Sequence, residues 1–284
     1  MSPAGSLLST YTASDGQNLA VQDWPLADAS AARGVVLLVH GLGEHAWRYD
    51  HVAQRLNEWG FAVRGYDQFG HGDSAGPRGA LTSPMRLVDD LADLVDSTRA
   101  AAGARTPLIV LGHSLGGLVA ALLAAGVHRA APLDGLVLSS PAFDAGLSAF
   151  QRLLVAVLPR IAPNLRVGNG LDASFLSHDP EVVRAYLADP RVHDRISARL
   201  ARFIAEGGPQ VLARAPHWTV PTLLMYAGAD RLVSPAGSRR FAAAAPKEIV
   251  RSACFEELFH EIFNEADAQP VFETLRQWLD ERFP

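Results

Sequence analysis

From Pro107 to Val127 the chain carries no Asp, Glu, Lys or Arg, and this stretch constrains the fold more than any other. A bilayer span needs about 20 predominantly apolar residues, but His113, Ser114 and four glycines interrupt this one. It therefore reads as a buried strand, PLIVLG, a tight turn on Ser114, and a buried helix from Leu115 to Ala125. A strand that is apolar on both faces belongs in a parallel sheet covered by helices on each side.

The flanking sequence repeats that pattern. Between Val35 and Asp144 short apolar runs alternate with amphipathic ones, as in βα units. GVVLLVH predicts a strand, His51–Trp59 a helix closed by Gly60, and Phe61–Asp67 the next strand. Ser83 and Pro84 predict an N-cap and a first helical turn, followed by Leu87, Val88, Leu91, Leu94 and Val95 on one face and a stop at Gly103. LDGLVLSS is a further strand. The alternation then breaks. Residues 143–216 are mainly helical in pattern: Phe150–Ile161, Pro180–Ala188 behind an Asp179 cap, and Ser197–Leu212. Strand signals return at VPTLLMYAG, with a helix near Ala236, a strand over Glu248–Cys254 and a helix from Pro270 to Arg282. The expectation is an α/β fold, a mostly parallel sheet flanked by helices. Its core would be residues 1–142 and 217–284, and the insertion 143–216 a helical cap over the sheet's carboxyl edge, where open α/β sheets bind ligands.

Composition excludes several classes. The chain has 284 residues, a formal net charge of −5 and one cysteine, Cys254. A single cysteine permits no intrachain disulfide and no Cys-based metal cluster, and Cys254 is expected to be a buried strand residue. Arginines recur from Arg184 to Arg214, but acids lie among them, so no basic stripe suits a nucleic-acid backbone. No basic segment precedes an apolar run at the amino terminus, which predicts an untargeted, cytoplasmic protein. Association at a membrane surface, and a monomer or a homodimer, both fit.

Gly112-His113-Ser114-Leu115-Gly116 matches G-x-S-x-G, with a strand before it and a helix after it, the setting of a nucleophile elbow in the α/β-hydrolase fold. The bland alternative is a glycine-rich turn with an incidental serine. A serine hydroxyl needs a base, and the base a group that holds its tautomer. In this fold the order is serine, acid, histidine. Of the ten histidines, His260 follows the last strand in LFHEIFNE and is the predicted base; His128 lies too early, and His178, His193 and His217 fall in the insertion as polar surface or capping residues. Asp230, directly after PTLLMYAGA, is the predicted acid, with Asp267 as fallback. The oxyanion would be held by the backbone N–H groups of Leu115 and, from the loop His40-Gly41-Leu42-Gly43, of Leu42. His40 is expected to pin that loop.

HGLGEHAWRY, GYDQFGHGDSAG, GHSLGG, GADRLV and FHEIFNE together resemble the monoacylglycerol lipase and lysophospholipase branch of the α/β-hydrolases, over a match from about Tyr11 onward. The insertion, with LSHDPEVVRAYLADPRVH, resembles the cap of bacterial members. The resemblance implies hydrolysis of a lipid ester through an acyl-enzyme without metal or cofactor, and a lid whose apolar helices accept the acyl chain. It suggests Glu44 and Arg48 as substrate-binding groups near the alcohol; a salt bridge bracing the loop is the equal alternative. FGHGDS is read as a structural turn, with no chemistry for His71 or Asp73. Phe150, Leu154, Leu158, Phe175 and Tyr186 are candidate acyl contacts that the sequence leaves unplaced. The helix over Phe150–Ile161 could touch a membrane or pack on the core. Rival readings are a lysophospholipase, another carboxylesterase, an amidase or peptidase on the same triad, a cofactor-free haloperoxidase, and a binding module without chemistry.

Overall fold

Val39 lies in register with Gly112, and Gly112 with Leu138, so three neighbouring strands of the sheet release the chain at one level. These relations come from a computed structural model that describes residues 5–28, 32–146 and 148–284, excepting the side chains of residues 149, 150 and 152. The strands are β1 (Leu7–Thr12), β2 (Asn18–Trp24), β3 (Gly34–Val39), β4 (Phe61–Tyr66), β5 (Leu108–His113), β6 (Gly135–Ser139), β7 (Arg166–Gly168), β8 (Arg195–Ser197), β9 (Thr222–Ala227) and β10 (Val250–Phe255). The helices are α1 (Asp50–Glu58), α2 (Arg86–Ala102), α3 (Leu115–Ala124), α4 (Ala149–Ile161), α5 (Pro180–Ala188), α6 (Ala198–Arg214), α7 (Pro235–Ala244) and α8 (Gln269–Arg282).

Eight strands form one sheet in the order β1-β2-β4-β3-β5-β6-β9-β10. From β4 to β10 neighbours run parallel, while β1 and β2 add an antiparallel edge. The uncharged stretch is the sheet's centre: every residue of β5 is buried. One face packs Leu37, Val110 and Leu138 against α2 and α3, the other packs Val36, Ile109 and Val137 against α1 and α8. The chain leaves β3 toward β4 on one side and returns to β5 on the other. Parallel α/β sheets bind ligands at such a reversal, where diverging loops leave a crevice.

The helix expected from Ser83 starts later. Arg86 is its first residue, Met85 stands at the cap, and no side chain caps it. The residues before it are held in a turn, because the Arg199 guanidinium donates to the Leu81 and Thr82 carbonyls. A tertiary contact thus overrode a sound local signal. At the other end Gly103 closes the helix with φ 86°, a backbone angle open to glycine at little cost. Cys254 lies on the sheet's edge strand β10 and is half-buried rather than buried.

Between β6 and β9 the chain builds α4, β7, α5, β8 and α6. Ser148 and Gln151 form a reciprocal capping box on α4, Asp179 caps α5 ahead of Pro180, and Ser197 caps α6. The short antiparallel pair β7–β8 has too few residues to show a period. Gly207 of α6 sits where an added Cβ would press on Leu118 and Leu122 of α3, so α6 lies close against the helix that follows the elbow. Among the described residues no helix is long and apolar enough to cross a membrane.

Candidate active site

Ser114 occupies the turn between β5 and α3 with φ 52° and ψ −116°. Positive φ is costly for a residue with a side chain and persists only where neighbours enforce it. Here they do. The Ser114 N–H donates to Ser139 O at 2.9 Å, and its carbonyl accepts from Leu118 and Ala142 N–H at 3.0 Å each. A Cβ on Gly112 would collide with the Gly116 backbone, and one on Gly116 with the Val39 and His40 carbonyls. The glycines of the motif are therefore places where two backbones touch.

His260 stands on the loop after β10, 4% exposed, and its Nδ1 lies 2.6 Å from Asp230 Oδ2. The other carboxylate oxygen of Asp230 accepts the Leu232 and Val233 N–H groups at 2.9 Å, so the carboxylate is fixed by its own turn as it holds the ring. A carboxylate on Nδ1 sets that nitrogen as the donor and leaves Nε2 the basic one. Burial alone lowers the pKa of His260. The Asp230 charge and hydrogen bond outweigh it, Glu261 and Glu44 add to them, and the net shift is upward. The fallback Asp267 is exposed on the surface. His113, its ring centroid 4.7 Å from that of His260, is pushed down to about 3, first by burial and then by His260 itself, and stays neutral.

The Leu115 N–H, at the first turn of α3, and the Leu42 N–H have no hydrogen-bond acceptor among the described residues. Helix N-termini and free amides of this kind favour a developing negative charge. His40 pins the neighbouring loop: its Nε2 accepts the Gln68 N–H at 2.9 Å, so Nδ1 carries the proton and donates to Gly41 O at 2.7 Å. Burial drives its pKa down to about 4, consistent with a neutral, structural ring.

Glu44 and Arg48 are engaged with the protein. Glu44 Oε1 accepts the Gly41 N–H at 2.5 Å and the Tyr49 hydroxyl at 2.7 Å, and its other oxygen takes Arg48. Arg48 also forms a two-pronged pair with Glu261, at 2.6 and 2.7 Å, and lies 4.8 Å under the Tyr186 ring of α5. These contacts are those of the bracing alternative, although Glu44 does border the cleft. His71 is buried with Nδ1 on Phe69 O, and Asp67 accepts the Asp73 N–H, as a structural turn requires. Of the insertion's histidines, His193 is tied in: its N–H donates to Gly43 O at 2.8 Å and its Nε2 meets Gly70 O at 3.1 Å.

Glu261 and Glu265 were not singled out in the sequence, and both turn out to organise the site. The buried carboxylate of Glu265 accepts the Phe259 N–H at 2.6 Å and the His178 N–H at 3.0 Å, tying the residue before His260 to the cap. FHEIFNE contains both glutamates, but their partners are remote in the chain.

Two clefts meet at Ser114, Leu42 and His260. One, about 530 Å3, is mixed: Glu44, Arg78, Asp189, Asp194, Arg195 and Glu261 border it beside Leu171, Leu176, Leu187 and Val192. The second, about 370 Å3, is lined by Val155, Phe175, Ile196, Ile204 and Val233, with Gln151, Asn169, Asp172 and Arg231 also on its border. It abuts a smaller apolar groove bordered by Leu154, Leu158 and Leu165. Of the candidate acyl contacts, Leu154 and Leu158 therefore border the apolar groove, Phe175 the second cleft and Tyr186 the first, and the Phe150 side chain lies outside those described. Among the described residues no three His, Cys, Asp or Glu side chains are gathered as a metal site.

A parallel sheet with a strained serine at its central strand-to-helix turn, and a carboxylate-held histidine beside it, is the architecture of the α/β-hydrolases. The profile of the serine aminopeptidase S33 family matches residues 30–267, and the chain belongs to that family. It is 40% identical over 250 residues to a monoacylglycerol lipase of Mycolicibacterium smegmatis, covering 87% of this chain and 88% of that one. It is 30% identical over 274 residues to the human monoglyceride lipase, with 94% and 88% covered. The crystal structure of a Paleococcus ferrophilus monoacylglycerol lipase superposes with a TM-score of 0.82 at 33% identity, covering 93% of this chain and 99% of that one. The protein is a monoacylglycerol lipase-like α/β-hydrolase.

Proposed function

We propose that this chain hydrolyses esters joining a fatty acid to a small uncharged alcohol, monoacylglycerol foremost, with Ser114 as nucleophile, His260 as general base and Asp230 as the group that orients it. The observation that carries this reading is that a cleft bordered by six charged side chains and a second cleft that leads on to an apolar groove meet at one serine. An amphiphilic ester has that shape. With the acyl chain in the second cleft and the apolar groove beyond it, and the alcohol in the first, the scissile carbonyl falls at Ser114. His260 Nε2 takes the hydroxyl proton as the serine oxygen attacks, and the Leu42 and Leu115 N–H groups receive the oxyanion. The tetrahedral intermediate collapses, the alcohol leaves with the proton from His260, and water repeats the sequence on the acyl-enzyme to release the fatty acid.

The lining of the first cleft favours a neutral alcohol over a phosphate-bearing one. Four carboxylates, Glu44, Asp189, Asp194 and Glu261, border that cleft against two guanidiniums, Arg78 and Arg195. All four carboxylates are paired, Glu44 and Glu261 with Arg48, Asp189 with Arg191 and Asp194 with Arg195, so the cleft offers paired charges and hydrogen-bonding groups, which suit an uncharged hydroxyl-bearing alcohol. Within this reading residues 1–142 and 217–284 carry the chemistry and the cap 143–216 selects the chain. The outer face of α4, with Leu153, Val157 and Ile161 exposed, gives the cap a surface for transient contact with lipid.

Ser114→Ala is expected to abolish hydrolysis of short p-nitrophenyl esters and labelling by a fluorophosphonate, while the wild type prefers monoacylglycerols over lysophospholipids of equal chain length. Retained turnover in Ser114→Ala would remove the serine assignment. A preference for lysophospholipid would remove the headgroup argument alone. Liposome co-sedimentation of Leu153→Glu against wild type tests the lipid contact, and equal binding would count against it.

A further inference from the structure

The loop that offers the Leu42 N–H and the loop that carries His260 come from opposite ends of the chain, and one buried chain of charges joins them. Glu261, next to His260, grips the Arg48 guanidinium with both oxygens. Arg48 passes to Glu44, and Glu44 Oε1 accepts the Gly41 N–H at 2.5 Å, one residue before Leu42. Glu44 and Glu261 are 3% and 4% exposed. Burying two carboxylates around one guanidinium is costly, because desolvation is repaid only by excellent geometry. Apolar side chains would brace two loops at less cost. The charges do what apolar packing cannot: a carboxylate takes a specific backbone N–H and turns a peptide plane.

We infer that Glu44, Arg48 and Glu261 are positioning residues that set the oxyanion amide and the general base relative to each other; this rests on the roles proposed above for Leu42, Ser114 and His260. By accepting the Gly41 N–H, Glu44 fixes the His40–Gly41 peptide, and His40 Nδ1 holds the Gly41 carbonyl of the next one, so that together they set the direction in which the Leu42 N–H points. By holding Glu261, Arg48 sets the backbone that carries His260. The guanidinium is shared, so displacement of one loop is felt by the other. Tyr186 over Arg48 and the His193 N–H on Gly43 O place the cap on the same element.

In Glu44→Gln the amide oxygen can keep the Gly41 N–H and the Tyr49 hydroxyl, but the amide nitrogen then faces Arg48, donor against donor. Glu261→Gln cuts the chain from the other end. Loss of one oxyanion donor outright costs about 10²- to 10³-fold in kcat; misalignment is expected to cost less, about 10- to 100-fold, with KM changed by less than about threefold. Because both substitutions break one connection, the double variant is expected to fall well short of the product of the two losses. The two carboxylates act on His260 together with Asp230, and His113 packs beside its ring, so removing either negative charge moves the acid limb of kcat/KM to lower pH. Glu44→Asp is expected to restore part of kcat.

The measurements are kcat, KM and pH profiles on a short p-nitrophenyl ester, with fluorophosphonate labelling rate and thermal unfolding on the same preparations. Undiminished kcat with a raised KM would overturn the inference in favour of direct substrate contact, and lowered thermal stability with undiminished kcat would reduce the chain to a brace. Multiplicative losses would deny the coupling. If Glu44→Gln does not fold, Glu261→Gln and Arg48→Lys decide the matter. Ser114→Ala keeps the two levels apart: activity persisting there defeats the catalytic assignment, whereas normal kcat in the chain variants defeats only the positioning.

Discussion

The central sheet and the cap treat apolar residues in opposite ways. Every residue of β5 is buried, whereas α5 buries none. Apart from Leu7 and Leu8 on the edge strand, the large exposed apolar side chains among the described residues all lie between Leu153 and Leu187. On the proposed reading, the chemistry sits on the first region and the selection of substrate on the second. A nucleophile in a strained turn needs surroundings that cannot relax, which close packing supplies. A chain-selecting wall needs apolar surface facing solvent or substrate, which a packed core cannot offer.

The largest effect that bears on this contrast is at Asp230. Neutralising the orienting carboxylate of a serine triad costs about 10⁴-fold in kcat, and Asp230→Asn is expected to fall near that with little change in folding, as its own turn can still bond an amide oxygen. A loss below tenfold would mean that His260 is oriented by something other than Asp230 and would break the chemical half of the contrast. Substrate panels on the same variant should keep the wild-type order of chain lengths, because the cap is untouched.

Next in size is stability. Leu111 is fully enclosed in β5, and Leu111→Ala is expected to cost about 2–5 kcal/mol in chemical denaturation, the range for a leucine removed from a core. Leu187, 70% exposed on α5, should lose no more than about 0.5 kcal/mol on the same change. Equal costs would show that the cap is part of one cooperative core. The smallest effect is a displacement along the pH axis. His260 must be neutral to accept the serine proton, and its pKa is raised by Asp230 against the lowering effect of burial. Activity is therefore lost as pH falls through a value above the ordinary histidine pKa of about 6.5, and kcat/KM should show its acid limb there; a limb below it would mean that burial prevails over the carboxylates.

Much of this was legible in the sequence, for local reasons. The parallel strands announced themselves as short apolar runs, and Gly103, Asp179 and Ser197 marked helix ends through backbone chemistry confined to a few residues. Ser114, Asp230 and His260 stand out as candidates because each follows a strand, and the structure brings His260 and Asp230 into contact and sets Ser114 on the same cleft. The antiparallel edge β1–β2 is not legible in this way, since β1 buries no residue and in β2 the polar Gln22 is buried beside Val21, which breaks the alternation a half-buried strand would show. The start of α2 was misplaced because Arg199, more than a hundred residues away, holds the turn that Ser83 would otherwise cap.

The sequence by itself determined the element types and the residues offered for chemistry, because periodicity, caps and a strand-turn-helix motif act over distances that the chain's own stiffness controls. Tertiary structure alone decided that Glu44 and Arg48 meet Glu261, that Glu265 ties the cap to the histidine loop, and that two clefts of different lining converge on one serine. Buried charges must find partners wherever folding brings them. No local pattern records that choice: Arg48 and Glu261 are 213 positions apart, and only the closing of the sheet's two loops and the cap over one edge makes them neighbours.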